Sequence, residues 1–267
     1  MYVYLHLLSV KRLDKNISNS IFLFNLFYFW YLSGQSYNYL LATNTIMNEY
    51  FIGIDIQTKR DCSYAISDQN GALKESGWFS KNHSILNTLK KLSVNAKLYV
   101  GIDAPRMALI SPRQWYWVGS KKKWKPKTKK HKGHGRHCEI VVSAHKLANP
   151  QWTPFFDDAP AWMKKGFALF KELGTFFPTF EVFPTASYSL FSGVKEVKLD
   201  IDFSNCLPGP KDMMDAFVAS VTVREFTRGK GIEVGNGDGL GAIILPRPLP
   251  EPLLSEVLTW PGCNTKK

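Results

Sequence analysis

Hydrophobic positions alternate with small or polar ones over residues 50–56, where Ile52, Ile54 and Ile56 face one way and Phe51, Gly53 and Asp55 the other. A period of two is the mark of a strand. Residues 62–67 and 73–79 read as two more strands. The Asp68-Gln69-Asn70-Gly71 turn between them carries the Asn-Gly pair favoured in hairpins. The pattern therefore predicts an opening antiparallel meander. Ile85, Leu86, Leu89 and Leu92 then fall at helical spacing behind a cap at Ser80 or Asn82. A buried-type strand follows at 97–103 (KLYVGID), closed by Ala104-Pro105. The helix before it makes this strand a candidate for parallel pairing with the first.

Residues 137–147 and 159–173 are predicted helices, and TFEVFP at 179–184 is a predicted strand. The strongest helix signal spans 210–226. Pro210 suits its first turn, and Met214, Phe217, Val218 and Val221 form its apolar stripe. A Gly-rich turn at 235–241 leads into a short strand at 242–245, stopped by Pro246. The expectation is one α/β domain, from about Met47 onward, with an insertion at 106–136.

Composition adds a partner to this picture. Of 267 residues 45% are hydrophobic, enough for a sizeable core, and the net charge is +12. Ten Lys/Arg and no Asp/Glu lie between Arg113 and Arg136, so one stretch accounts for most of that excess. Such an excess points to a polyanionic partner, DNA or RNA, or to an acidic membrane surface. The four cysteines, Cys62, Cys138, Cys206 and Cys263, have no CxxC spacing, so a redox motif or zinc knuckle is not indicated. Reduced thiols fit a cytoplasmic protein.

The first 46 residues stand apart. The apolar run at 21–32 (IFLFNLFYFWYL) follows Lys11, Arg12 and Lys15, as in a signal or anchor layout. It is short of the roughly 20 residues that span a bilayer. Residues 1–46 are expected to lie outside the fold, as an extension upstream of a start at Met47. A membrane or interfacial segment is the alternative, and a membrane partner is expected only if residues 17–41 are retained.

The candidate chemistry rests on an echo: Gly-Ile-Asp occurs at 53–55 and again at 101–103. Both aspartates end apolar strands. If the strands are parallel neighbours, about 4.8 Å apart, Asp55 and Asp103 emerge side by side. Paired carboxylates repel unless one is protonated or a cation sits between them. A divalent ion, Mg²⁺ or Mn²⁺, resolves this. Asp212 and Asp215 are three apart on the late helix and share a face, while Ala216, Ala219 and Ser220 let that helix approach the sheet closely. Four carboxylates from three elements are the raw material for two-metal phosphodiester hydrolysis. Taken singly, each aspartate also has a purely structural reading in turn or helix-end chemistry.

FIGIDIQ at 51–57, YVGIDAP at 99–105, RHCE at 136–139, EVFP at 181–184 and KDMMDAFVAS at 211–220 resemble, in this order, the motifs of the DUF429 family, predicted nucleases with a ribonuclease-H-like fold. The resemblance covers roughly residues 48–247. The Asp-x-x-Asp-Ala helix also looks like the C-terminal acidic motif of RuvC-type Holliday-junction resolvases. The resemblance implies a five-stranded mixed sheet with the first and fourth strands adjacent. It also implies a metal site from Asp55, Asp103 and Asp212 or Asp215. Of the remaining motif residues, Glu181 or Glu139 is a candidate for the metal shell and Arg136 for phosphate binding. The alternative is a structural Arg–carboxylate pair.

In the basic stretch, Lys121, Lys122, Lys123, Lys125, Lys129 and Lys130 would track a nucleic-acid backbone. Trp124, with Trp115, Tyr116 and Trp117, would stack on bases. Following directly on Asp103, this stretch is expected to overhang the metal site as a clamp, or else to be a solvated loop. His131, His134, His137 and Cys138 lack the spacing of a zinc site. Two functions follow: a metal-dependent nuclease without a small-molecule cofactor, or a non-catalytic nucleic-acid-binding protein on the same fold.

Overall fold

The computed structural model describes residues 47–191, 209–250 and 255–262, and the chain divides into two units, 1–46 and 47–267. The apolar run at 21–32, Cys206 and Cys263 lie outside the described residues. Strand β1 (Asn48–Asp55) pairs antiparallel with β2 (Cys62–Asp68), which pairs antiparallel with β3 (Leu73–Phe79). This is the predicted meander. The Asp68 carboxylate accepts from the Asn70 and Ala72 amides at its turn, and Gly71 sits at φ +82°. Helix α1 (Asn82–Ser93) carries Ile85, Leu86 and Leu89 inward. Its N-cap is Lys81, without a side-chain cap, and neither Ser80 nor Asn82 has that role.

Strand β4 (Ala96–Asp103) returns parallel to β1 in full register, Gly53 against Gly101 and Asp55 against Asp103. Beyond Asp103 the chain forms a small hairpin, β5 (Trp115–Val118) and β6 (Lys123–Pro126). Helices α2 (His137–Ala144) and α3 (Ala161–Leu173) lead to β7 (Thr179–Val182), parallel to β4. Helix α4 (Pro184–Phe191) and helix α5 (Pro210–Thr227) precede β8 (Ile232–Val234) and β9 (Ile243–Leu245), and a last turn of helix is α6 (Ser255–Leu258). The main sheet has seven strands in the order β3-β2-β1-β4-β7-β9-β8. Five were expected. The meander and the adjacency of β1 and β4 are as expected, β7 joins beside β4, and the antiparallel β8–β9 pair continues the sheet past β7. No helix among the described residues is long and apolar enough to cross a membrane.

The alternation in β1 divides the core. Ile52, Ile54 and Ile56 join Leu98, Val100, Ile102 and the inner faces of α1 and α3. Phe51 points to the opposite layer, with Ala219 and Val223 of α5. Helix α5 is buried nearly all round rather than along a single stripe. It lies so close to the sheet that a Cβ on Gly53 would stand 1.8 Å from the Ala216 carbonyl oxygen. On Gly101 a Cβ would stand 2.6 Å from a Val223 methyl. The two glycines of the echo thus remove side chains where the helix crosses β1 and β4. The two aspartates follow them two residues on, with the same parity, toward α5.

Candidate active site

Asp55 and Asp103 stand opposite each other at the C-terminal ends of the two central parallel strands. Asp55 is buried, and Gln57 donates from Nε2 to its Oδ2 at 2.8 Å. Burial pushes the Asp55 carboxyl up to about 7; the Gln57 bond opposes this, and the charges of Asp215 and Asp212 add to it. Asp103 is half-buried at residue level and lines a cavity of about 50 Å³. Enclosure of its carboxyl, then the charge of Asp55, raises its pKa well above the carboxylate range. The sheet register therefore forces together two groups that cannot both ionise at low cost.

Helix α5 supplies the third carboxylate. Asp215 accepts from the Tyr188 hydroxyl of α4 at 2.9 Å and from the Lys211 ammonium one turn earlier. Its charge also reaches Asp55 and Asp103. The Lys211 side chain is 78% exposed, yet its cation interacts with all three aspartates. Burial disfavours that cation, while the bond to Asp215 and the charges of Asp215, Asp55 and Asp103 raise its pKa. Lys211 is thus a tethered counter-ion for the cluster. Asp212 turns aside: Arg60 Nε binds its carboxylate, and its backbone oxygen accepts from Ser63 Oγ at 2.8 Å. It influences Asp55 electrostatically but pairs with the β1–β2 connection.

Among the described residues no group of three or more His, Cys, Asp or Glu side chains is drawn close enough to hold a metal ion as it stands. The donor chemistry of Asp55, Asp103 and Asp215 nevertheless suits a hard divalent cation. A cationic ammonium already stands among them, and a bound Mg²⁺ or Mn²⁺ would replace an exposed, flexible side chain.

Glu181 reaches this cluster only by its charge, which adds to the rise at Asp103. It lies on β7, and Arg136 Nη1 binds its Oε2 at 2.7 Å while Nη2 binds Oε1. The Arg106 amide adds a third bond at 2.8 Å. Glu139 is likewise consumed: Arg136 Nε donates to it at 3.0 Å, the Thr153 amide at 3.0 Å, and the Arg136 amide at 3.1 Å as a helix N-cap. Arg136 is 0% exposed, with Glu139 at 2% and Glu181 at 3%. It cannot reach a phosphate, and the structural ion-pair alternative is the observed one. The network ties β7, the start of α2 and, through the Leu240 carbonyl, the Gly-rich turn beside the cavity at Asp103. Glu139 and Glu181 are saturated carboxylates in a buried brace.

The basic stretch contains a short hairpin, and Lys129 and Lys130 lie in a turn beyond its second strand. Trp117 and Trp124 face each other across it, edge to face at 5.4 Å. Trp124 also packs on His137 and Trp260 and donates from Nε1 to the Glu256 carbonyl at 3.1 Å. It anchors the hairpin to α2 and α6 and is not a free platform for a base. Tyr116 stacks on His131 at 3.8 Å. Lys121, Lys122, Lys123, Lys125, Lys129 and Lys130 all remain exposed. His137 accepts from the Gly237 amide and meets the Val257 carbonyl, so both of its ring nitrogens are occupied. Cys62 and Cys138 are free, buried thiols.

Tyr188 and Arg60 had no signal in the sequence, because each meets its aspartate only through the fold, whereas Gln57 stands two residues after Asp55. Lys211 did have one: it stands four residues before Asp215, the spacing of a helical ion pair. Comparison with known protein families, with curated proteins and with solved structures gave no match to this chain.

Proposed function

We propose that this chain is a divalent-metal-dependent nuclease on a ribonuclease-H-like sheet, with Asp55, Asp103 and Asp215 as its metal ligands. The single observation that carries the reading is the in-register pair Asp55–Asp103 with Asp215 beside it: the charge of Asp215 raises the proton affinity of both, and that of Asp55 adds to it at Asp103. Perturbed carboxylates that share one site at strand ends mark functional positions more often than structural ones. The DUF429-like order of motifs supports the same reading. When bound, Mg²⁺ or Mn²⁺ would lower the pKa of an attacking water and stabilise the leaving oxygen.

The protein's own groups set up that chemistry. The Tyr188 hydroxyl orients Asp215, and burial first, then the neighbouring carboxylates, keep the phenol protonated as a donor. Gln57 fixes the Asp55 rotamer. Arg60 holds Asp212, which acts as an electrostatic neighbour rather than a direct ligand. The exposed lysines of the β5–β6 hairpin supply a positive field for the phosphate backbone.

A second reading has its own observation. Lys211 and Arg60 already neutralise the carboxylates, as they would in a non-catalytic nucleic-acid-binding protein. Incubating the full chain with single- and double-stranded DNA and RNA, with Mg²⁺ or Mn²⁺, separates the two. Cleavage that falls by about two orders of magnitude or more in Asp55→Asn and Asp103→Asn supports the nuclease. Salt-sensitive binding with no turnover favours the binding protein, and cleavage unchanged in Asp55→Asn rejects the assigned site.

A further inference from the structure

A cavity of about 300 Å³ lies between the 109–115 segment, the Gly-rich turn and the Trp260–Gly262 end of the described chain. That is the lower end of ordinary small-ligand pockets. Ser111, Arg113, Trp115 and Trp260 are among its lining residues. Arg113 is its unusual member. The Nε and Nη1 atoms of the guanidinium are shut off from solvent and have no hydrogen-bond acceptor among the described residues. Arg60, Arg136, Arg224 and Arg247 each bind a carboxylate. Arg113 does not. Its polar partner is the Tyr116 side chain, which hydrogen-bonds the guanidinium, and the carboxylates that reach it electrostatically are Glu139 and Asp238. Glu139 is saturated by Arg136 and Thr153, and Asp238 accepts from the amides of His137 at 2.7 Å and Leu240 at 3.1 Å.

The fold nevertheless holds this arginine still. Its guanidinium carbon lies 4.0 Å from the centre of the Tyr116 ring and 5.3 Å from that of Trp152. Its amide donates to the Gly133 carbonyl at 2.9 Å. Nη1 packs against Gly135, where φ is +94° and an added Cβ would come within 2.8 Å of it. Leaving a desolvated cation without an anion costs stability, and burial lowers its pKa accordingly. A stacked guanidinium that lines the cavity and binds no carboxylate suits a phosphate, which would have to displace the packing over Nε and Nη1 to reach them. Trp115 lines the same cavity, is half-exposed and makes no ring contact with another aromatic among the described residues. Its indole is a free stacking face, unlike those of Trp117 and Trp124.

We propose that this cavity binds one nucleoside monophosphate unit, with its phosphate on Arg113 and its base against Trp115. The site rests on the nucleic-acid reading for its ligand class, not on turnover, and it would seat a terminal or unstacked nucleotide of a bound strand. The test uses the full chain, with a chelator present, titrated with UMP and AMP, with uridine, and with inorganic phosphate. Tryptophan fluorescence and calorimetry are the readouts. Saturable nucleotide binding at least about tenfold tighter than uridine or phosphate is expected, reduced at least about tenfold in Arg113→Gln. Trp115→Ala is expected to weaken UMP and AMP and to leave inorganic phosphate unchanged, which keeps the idea testable if Arg113→Gln fails to fold. No saturable binding, binding unchanged in a folded Arg113→Gln, or phosphate binding as tight as nucleotide would each overturn it. Asp55→Asn separates the two readings, because it is expected to lose cleavage and keep nucleotide binding. Nucleotide binding by a chain without nuclease activity sinks only the catalytic reading, and cleavage without nucleotide binding sinks only this pocket.

Discussion

Asp55 shows how a residue's surroundings change what it contributes. Its carboxyl has an ordinary value of 3.8 and is raised to about 7 in the fold, chiefly by burial. Between those values the folded protein binds a proton that the unfolded chain has released. Stability attributable to Asp55 is therefore full below about pH 4, falls as the pH rises toward 7, and is flat above. Asp55→Asn removes this loss. It is expected to unfold at higher urea concentration than wild type near pH 8, by up to about 4 kcal/mol, and to match it near pH 4. A wild type that grows more stable across that interval, with no gain in the variant, would show that Asp55 is ionised without strain. The same side chain is the first ligand of the proposed metal site, so under that proposal this variant would trade activity for stability, as buried functional carboxylates commonly do.

At the scale of elements, helix α5 and strands β1 and β4 form the frame of the site. The repeated Gly-Ile-Asp was legible as an echo, but its two halves do different things. The aspartates end the strands, while the glycines admit the helix. A Cβ at position 53 meets backbone atoms, the Ala216 oxygen at 1.8 Å and the Ser220 nitrogen at 2.4 Å. At position 101 it meets the Val223 and Val182 methyls at 2.6 and 2.8 Å, and those can rotate. Gly53→Ala is therefore expected to cost about 3 kcal/mol or more in denaturant unfolding and Gly101→Ala nearer 1 kcal/mol. Equal costs would mean that α5 shifts as a unit and that the close approach is adjustable. The small residues Ala216, Ala219 and Ser220 announced this contact in the sequence, whereas the burial of α5 on almost every side did not follow from its apolar stripe.

For the molecule as a whole, positive charge and aromatic rings separate. The exposed lysines of the β5–β6 hairpin face solvent, and its tryptophans mostly look inward. Replacing Lys121, Lys122, Lys123, Lys125, Lys129 and Lys130 with glutamine is expected to weaken binding of any nucleic-acid sequence alike. The slope of log K against log salt should become shallower by roughly 0.7–0.9 for each phosphate that is no longer neutralised. The melting temperature should stay put, because none of the six makes an ion pair with a described residue. A slope unchanged by all six substitutions would remove the hairpin from the nucleic-acid interface.

The sequence alone determined the meander, the parallel return of β4 beside β1 and the late helix over them, because periods of 2 and 3.6 and the turn residues are local signals. It also implied that Asp55 and Asp103 would be neighbours if their strands paired in parallel, a condition the sheet register meets. Only the tertiary structure decided which carboxylates stay available. Arg136 takes Glu181 from 45 positions away, Tyr188 reaches Asp215 across 27, and Arg60 draws Asp212 aside across 152. The same applies to Trp124, whose partner carbonyl lies 132 residues on. Such pairings carry no periodicity and no fixed spacing. They depend on where separate elements meet in space, and that is settled by how α5, α4 and the hairpin pack once the sheet has formed.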